Sequence, residues 1–188
     1  MRQPLLTVLK EPPLRRIVKP LVRALPFAPA VKSLWDAVEY PQYLVGVLHA
    51  AQYGPVSVIE FGVAAGHGSL ALQRHARAVE CVTQSPIYVY GFDTGSGLPP
   101  GTDDYRDHPD CWCPGDFPRD EAALRSRLGP RSALILGDVA ETALSQTFDA
   151  PVGFVAIDLD LYSSTVAALA LFQRTDVQRL VRHRALFR

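Results

Sequence analysis

Four short apolar runs, each carrying an acid at or near its carboxyl end, constrain this chain more than any other feature. Val56 to Phe61 is rich in β-branched residues, lies between Gly54-Pro55 and a glycine cluster, and reads as a buried strand with Glu60 near its end. Ile87 to Phe92 runs into Asp93, Ala133 to Leu136 runs into Gly137-Asp138, and Val152 to Leu161 carries Asp158 and Asp160. Apolar residues at helical spacing fill the segments Ser69 to Val82, Glu121 to Leu128 and Thr165 to Phe172, and Val31 to Tyr53 reads as two short helices interrupted at Pro41. Strands alternating with helices require right-handed crossovers, so the expected fold class is α/β, a parallel sheet with helices on both faces. Ligands of such sheets sit at the carboxyl ends of the strands. One acid at a strand end serves equally well to cap the next helix, but four in register point to a shared site.

Composition narrows the classes. The 188 residues, 48% hydrophobic and 20% charged, suit a single globular domain and exclude a disordered chain or a disulfide scaffold. Nineteen basic and nineteen acidic residues cancel, so no footprint for nucleic acid exists overall. The distribution is uneven: residues 1–30 carry +5, residues 31–173 carry −9 and residues 174–188 carry +4. Three expected regions follow: a Pro-rich basic segment over 1–30, the α/β domain over 31–172, and a basic tail over 173–188. Cys81, Cys111 and Cys113 are too few for a disulfide framework, which points to a reducing, cytoplasmic compartment. His108, Cys111 and Cys113 lie close in sequence but lack the second ligand pair of a zinc site. Prolines break the apolar N-terminal runs, so no transmembrane segment is expected.

The turn after the first strand, Glu60-Phe61-Gly62-Val63-Ala64-Ala65-Gly66-His67-Gly68-Ser69, places glycines where backbone N–H groups approach a ligand. Its spacing is G-x-x-x-G-x-G, neither the dinucleotide fingerprint nor a P-loop. A diphosphate ligand is therefore disfavoured, and Glu60 points to a cationic or amine-bearing one.

Together with Gly91 to Pro99, Gly137 to Thr142 and Ile157 to Thr165, this turn resembles the class I S-adenosylmethionine-dependent methyltransferases. Within that class it is similar to the macrocin-type sugar O-methyltransferases. The resemblance covers residues 55 to 172 and implies a Rossmann-like domain that methylates a hydroxyl of a small molecule such as a sugar or secondary metabolite. It implies that Gly62, Gly66 and Gly68 hold the methionine part of the cofactor and that Glu60 orients its amino group. Asp93 would accept from the ribose hydroxyls, and Asp138 with the Val139 backbone would face the adenine. Asp158 and Asp160 would serve as catalytic base and as ligands of a divalent metal, most simply Mg2+.

Members of that family continue past the helix at 165–172 with a strand ending in paired aspartates, more helix and an antiparallel strand pair. Residues 173–188 show no β-branched run. The sheet is therefore expected to lack its last strands, as after loss of the C-terminal part or in a natural short relative, leaving the 152–161 strand or its neighbour as an exposed apolar edge suited to self-association. The competing reading is a non-catalytic relative that binds the cofactor or a protein partner. The Pro99 to Pro118 loop, with Asp103, Asp104, Asp107, His108 and Trp112, reads as a cover or specificity element.

Overall fold

The structure is a computed structural model, and it describes residues 40–187 except 102, 110, 118 and 119. The expected basic segment 1–30 and the helix before Pro41 lie outside the described residues. Helix α1 (Pro41–Ala51) has proline in its first turn, where a missing N–H leaves no helical bond unmade, so Pro41 starts a helix. Then follow β1 (Val56–Phe61), α2 (His67–Thr83), β2 (Ile87–Asp93), α3 (Glu121–Arg125), β3 (Ser132–Leu136), α4 (Val139–Ser145), β4 (Val152–Ile157), α5 (Tyr162–Leu169) and β5 (Arg179–Phe187). Short 3-10 turns form at Tyr105–Asp107 and Ala170–Gln173.

All five strands pair in parallel, in the order β3-β2-β1-β4-β5. Strand alternation sorts the apolar side chains into two layers. Val56, Val58, Val89 and Phe154 gather with Tyr43 and Val47 of α1 and Leu72 of α2. Ile59, Phe61, Phe92, Val155 and Ile157 gather with Ala143 of α4 and Ala168 of α5 on the other face. Phe61, Ile59 and Ile157 are almost wholly buried, and each such side chain contributes about 1.5–3 kcal/mol relative to exposure. The chain moves outward from β1 through β2 to β3 and returns to place β4 on the other side of β1. The switch point therefore lies between β1 and β4. There Ile59 stands opposite Val155 and Phe61 opposite Ile157, and Ser57 Oγ donates to the Ala150 carbonyl at 2.7 Å.

The tail departs from expectation. Arg179–Phe187 is a strand beside β4, with Phe154 opposite Arg184 and Ile157 opposite Phe187, so β4 is not a sheet edge. Arginine-rich composition hid this strand, and two arginines at or before its start bond carbonyls of neighbouring segments. Arg174, 9% exposed, donates to the carbonyls of Ala143 and Gln146 at the end of α4, and Arg179 donates to Leu171 and Arg174 after α5. Cations on orphan helix carbonyls are stabilising. The sheet still ends at five parallel strands, with no antiparallel strand among the described residues. Among the described residues no helix is long and apolar enough to cross a membrane.

Candidate functional site

A cleft of about 420 Å3 opens at the carboxyl ends of β1, β2, β3 and β4. Gly62 and Ala64 line it from the first turn, Asp93, Thr94, Leu98 and Pro99 from the end of β2, Asp138 and Val139 from the start of α4, and Asp158 to Leu161 with Ser164 from the fourth connection. Six sequence-expected residues thus share one wall system: Gly62, Asp93, Asp138, Val139, Asp158 and Asp160.

Glu60 is not on that lining. Period-2 alternation puts it on the same face of β1 as Val56 and Val58, under α1 and α2. There, 1% exposed, it accepts from Tyr43 Oη at 2.8 Å and from the Ser69 hydroxyl. Its carboxylate lies directly under Gly68, where any Cβ would strike it. Glu60 therefore braces the base of α2. Gly66 begins α2 in the left-handed region at φ 85°, with Leu124 packed against it, and also stays off the lining.

The first turn is held by Asp93. Its Oδ2 accepts from the N–H groups of Val63 at 3.0 Å and Ala64 at 2.8 Å, and its Oδ1 accepts from the Gly95 N–H at 3.1 Å. These bonds keep Ala64 at φ 44°, a region costly for a side-chain-bearing residue. Gly62, at φ 89°, passes so near the Asp158 carbonyl that no Cβ fits. Its N–H donates to Phe92 while the Asp158 N–H donates to Phe61, which stitches three strand ends together.

Asp138 caps α4, its Oδ1 accepting from the Ala140 N–H at 2.8 Å. The cap and cleft readings of this acid are both satisfied by one position. Strand β4 ends at Ile157, four residues before the expected limit, so strand alternation does not run through Asp158 and Asp160. Among the described residues no group of three or more His, Cys, Asp or Glu could hold a metal ion. Magnesium keeps several waters and is commonly held by one or two carboxylates, so Asp158 and Asp160 alone would hold it weakly and the expected metal role is not supported.

The β2–α3 connection closes on itself at its base: Leu98 N–H donates to Asp116 and Gly115 N–H donates to Leu98, both at 2.8 Å. Phe117, at φ 63° and 6.0 Å from the Trp112 ring, adds a wall to the cleft. At its far end Asp104 pairs with Arg106, whose guanidinium holds the Asp104 carboxyl below the usual carboxylate range. Asp107, fully buried, accepts from Ser163 N–H and Oγ at 2.8 Å each. Sequence reasoning did not single out Ser163 or Phe117, since the pairing is between residues 56 apart and no local pattern announces it.

No protein-family profile matches the chain, and neither does any curated protein. Among solved structures it is similar to the crystal structure of CalS11, a calicheamicin methyltransferase, at 22% identity over 92% of this chain and 74% of that one, with a TM-score of 0.55. An apo structure of CalS11, described as a TDP-rhamnose 3′-O-methyltransferase of calicheamicin biosynthesis, matches at 21% identity over the same shares, with a TM-score of 0.46. At this identity the likeness establishes the fold: the chain has the Rossmann-like α/β architecture found in that methyltransferase.

Proposed function

We propose that the chain is an S-adenosylmethionine-dependent methyltransferase that acts on a hydroxyl of a small molecule, a sugar being the first class to test. The observation that carries this reading is the convergence of four carboxylates, Asp93, Asp138, Asp158 and Asp160, on one cleft at the switch point of this fold. Among the described residues that line it there is no Lys, Arg or His. A cleft rimmed by anions favours a cationic ligand and opposes a diphosphate.

S-adenosylmethionine, when bound, supplies a methyl group on a positively charged sulfur. The chain's own contributions follow from position. Gly62 and Ala64 present backbone to the cleft, while Phe92, Leu98, Val139 and Leu159 supply apolar walls. Asp93 fixes the turn and is the candidate acceptor for the ribose hydroxyls, and Asp138 with the Val139 backbone is the candidate for facing the adenine. Asp158 and Asp160 are the candidate bases, one of their carboxylate oxygens taking the proton of the acceptor hydroxyl as the oxygen becomes nucleophilic. The cleft also suits a relative that binds cofactor without turnover, and the missing metal donors favour testing that alternative. Calorimetry with S-adenosylhomocysteine and with NAD tests the cofactor, and tighter binding of NAD refutes it. Transfer of labelled methyl groups to a panel of hydroxylated acceptors then separates enzyme from binder.

A further inference from the structure

The two walls of the cleft belong to segments remote in sequence. Leu98, Pro99 and Phe117 come from the β2–α3 connection, and Leu161 and Ser164 from the start of α5. Among the described residues a side-chain contact at the far end of that connection joins them directly. Asp107 is fully buried although it sits in a long connection, and both its carboxylate oxygens accept from a single residue, Ser163, one through the N–H and one through the hydroxyl. Beside it the Arg106 guanidinium lies 3.9 Å from the centre of the Tyr162 ring. A carboxylate on the first turn of a helix is favoured by the dipole as well as by the two bonds. A buried charge would not persist there without such partners.

We propose that Asp107 is a positioning residue that sets the geometry of the ligand cleft by bolting the β2–α3 connection onto the first turn of α5. The inference rests on the reading of the cleft as the S-adenosylmethionine site. Asp107 is absent from the cleft lining, so it acts through Ser163 and the adjoining Leu161 and Ser164, and through the connection that carries Leu98 and Phe117. Undoing the bolt leaves every lining residue in the sequence but loosens one wall against the other, so its signature is faster escape of a bound ligand.

The experiment compares Asp107→Ala, Ser163→Ala and Asp107→Asn in the full chain. Asparagine retains an oxygen for the Ser163 N–H and an amide that donates to the Ser163 hydroxyl, so it should preserve the bolt without the charge. Dissociation of S-adenosylhomocysteine is followed by fluorescence, and trypsin cleavage after Arg106 is followed in the ligand-free protein. Asp107→Ala should speed dissociation about tenfold or more, as loss of hydrogen bonds to a charged acceptor implies. Ser163→Ala should fall between it and the parent, and Asp107→Asn should stay within about threefold of the parent, the rescue expected for geometry. Dissociation from Asp107→Ala as slow as from the parent overturns the proposal, as does an equal effect of alanine and asparagine. A parent chain that binds no S-adenosylhomocysteine refutes the cofactor reading instead, and the bolt is then decided by cleavage after Arg106. Faster cleavage in Asp107→Ala and Ser163→Ala sustains it and unchanged cleavage overturns it.

Discussion

Replacing Asp93 by alanine removes one carboxylate that accepts from three backbone N–H groups, those of Val63, Ala64 and Gly95. Each hydrogen bond to a charged acceptor contributes about 1.5–3 kcal/mol, so simple addition gives roughly 4.5–9 kcal/mol. The true loss is smaller, because the turn borders an open cleft and water reaches the freed N–H groups. We expect a destabilisation of about 2–4 kcal/mol, read as a fall in the urea midpoint at constant slope. The backbone strain at Ala64 offers an internal control. Its φ of 44° costs an alanine about 1–2 kcal/mol that glycine does not bear. Once Asp93 is lost the turn can relax and release that strain, which an Ala64→Gly background does not carry, so Asp93→Ala should cost about 1 kcal/mol more there. Binding of S-adenosylhomocysteine should weaken in Asp93→Ala and recover in part in the double variant. A loss below about 0.5 kcal/mol, or a coupling of opposite sign, refutes the assignment of Asp93 as the residue that holds the turn.

Gly62→Ala combines a left-handed backbone with collision against the Asp158 carbonyl; it should lose about 3 kcal/mol or more, or fail to fold, and a thermal midpoint equal to the parent's contradicts the close approach. Arg174→Ala strips partners from the Ala143 and Gln146 carbonyls and should cost about 2–3 kcal/mol in urea unfolding, whereas a neutral result would mean that water caps α4 as well as the guanidinium does. Burial, with help from the Asp149 carboxylate, pushes the Tyr90 hydroxyl up to about 12. Unfolded tyrosine releases its proton near pH 10, so this contribution is whole below pH 10 and is lost as pH rises through 12. Tyr90→Phe should flatten that part of the stability profile, and an unchanged profile assigns the decline to other groups. Because the described residues hold no group of three or more ligating side chains, magnesium and EDTA should leave S-adenosylhomocysteine binding and any methyl transfer unchanged, and a clear magnesium stimulation would show that carboxylates here converge on a cation after all.

The order of strands and helices was legible because β-branched runs and helical spacing alternate cleanly between residues 56 and 172. The acids at the strand ends found the cleft, since chain direction alone brings carboxyl ends of parallel strands together. What escaped notice was set by interactions across the chain. The bracing of α2 by Glu60 was not read, although counting by two from Val56 and Val58 puts it under the helices, a signal present in the strand itself. Asp158 and Asp160 belonged by pattern to one strand, but the Asp158 N–H bond to Phe61 is the last rung before the chain turns away. Strand β5 was obscured by arginines that bond carbonyls of neighbouring segments. Asp107 resembled any exposed loop acid until its partner, 56 residues on, was in place.

The pairing of β1 with β4 also bears on how the molecule comes to exist. Ser57 and Ala150 touch across 93 residues of chain, whereas β1, β2 and β3 meet through shorter connections. Closing the longer loop costs more entropy before any contact compensates, so the β1-β2-β3 half should form first and the β4-β5 half dock upon it. The cleft has no floor until that docking is done, because Gly62 faces the Asp158 carbonyl only then. Ligand capacity should consequently arrive late during refolding, in step with protection of the Phe61 and Asp158 amides, and a ligand added early should accelerate nothing before that step.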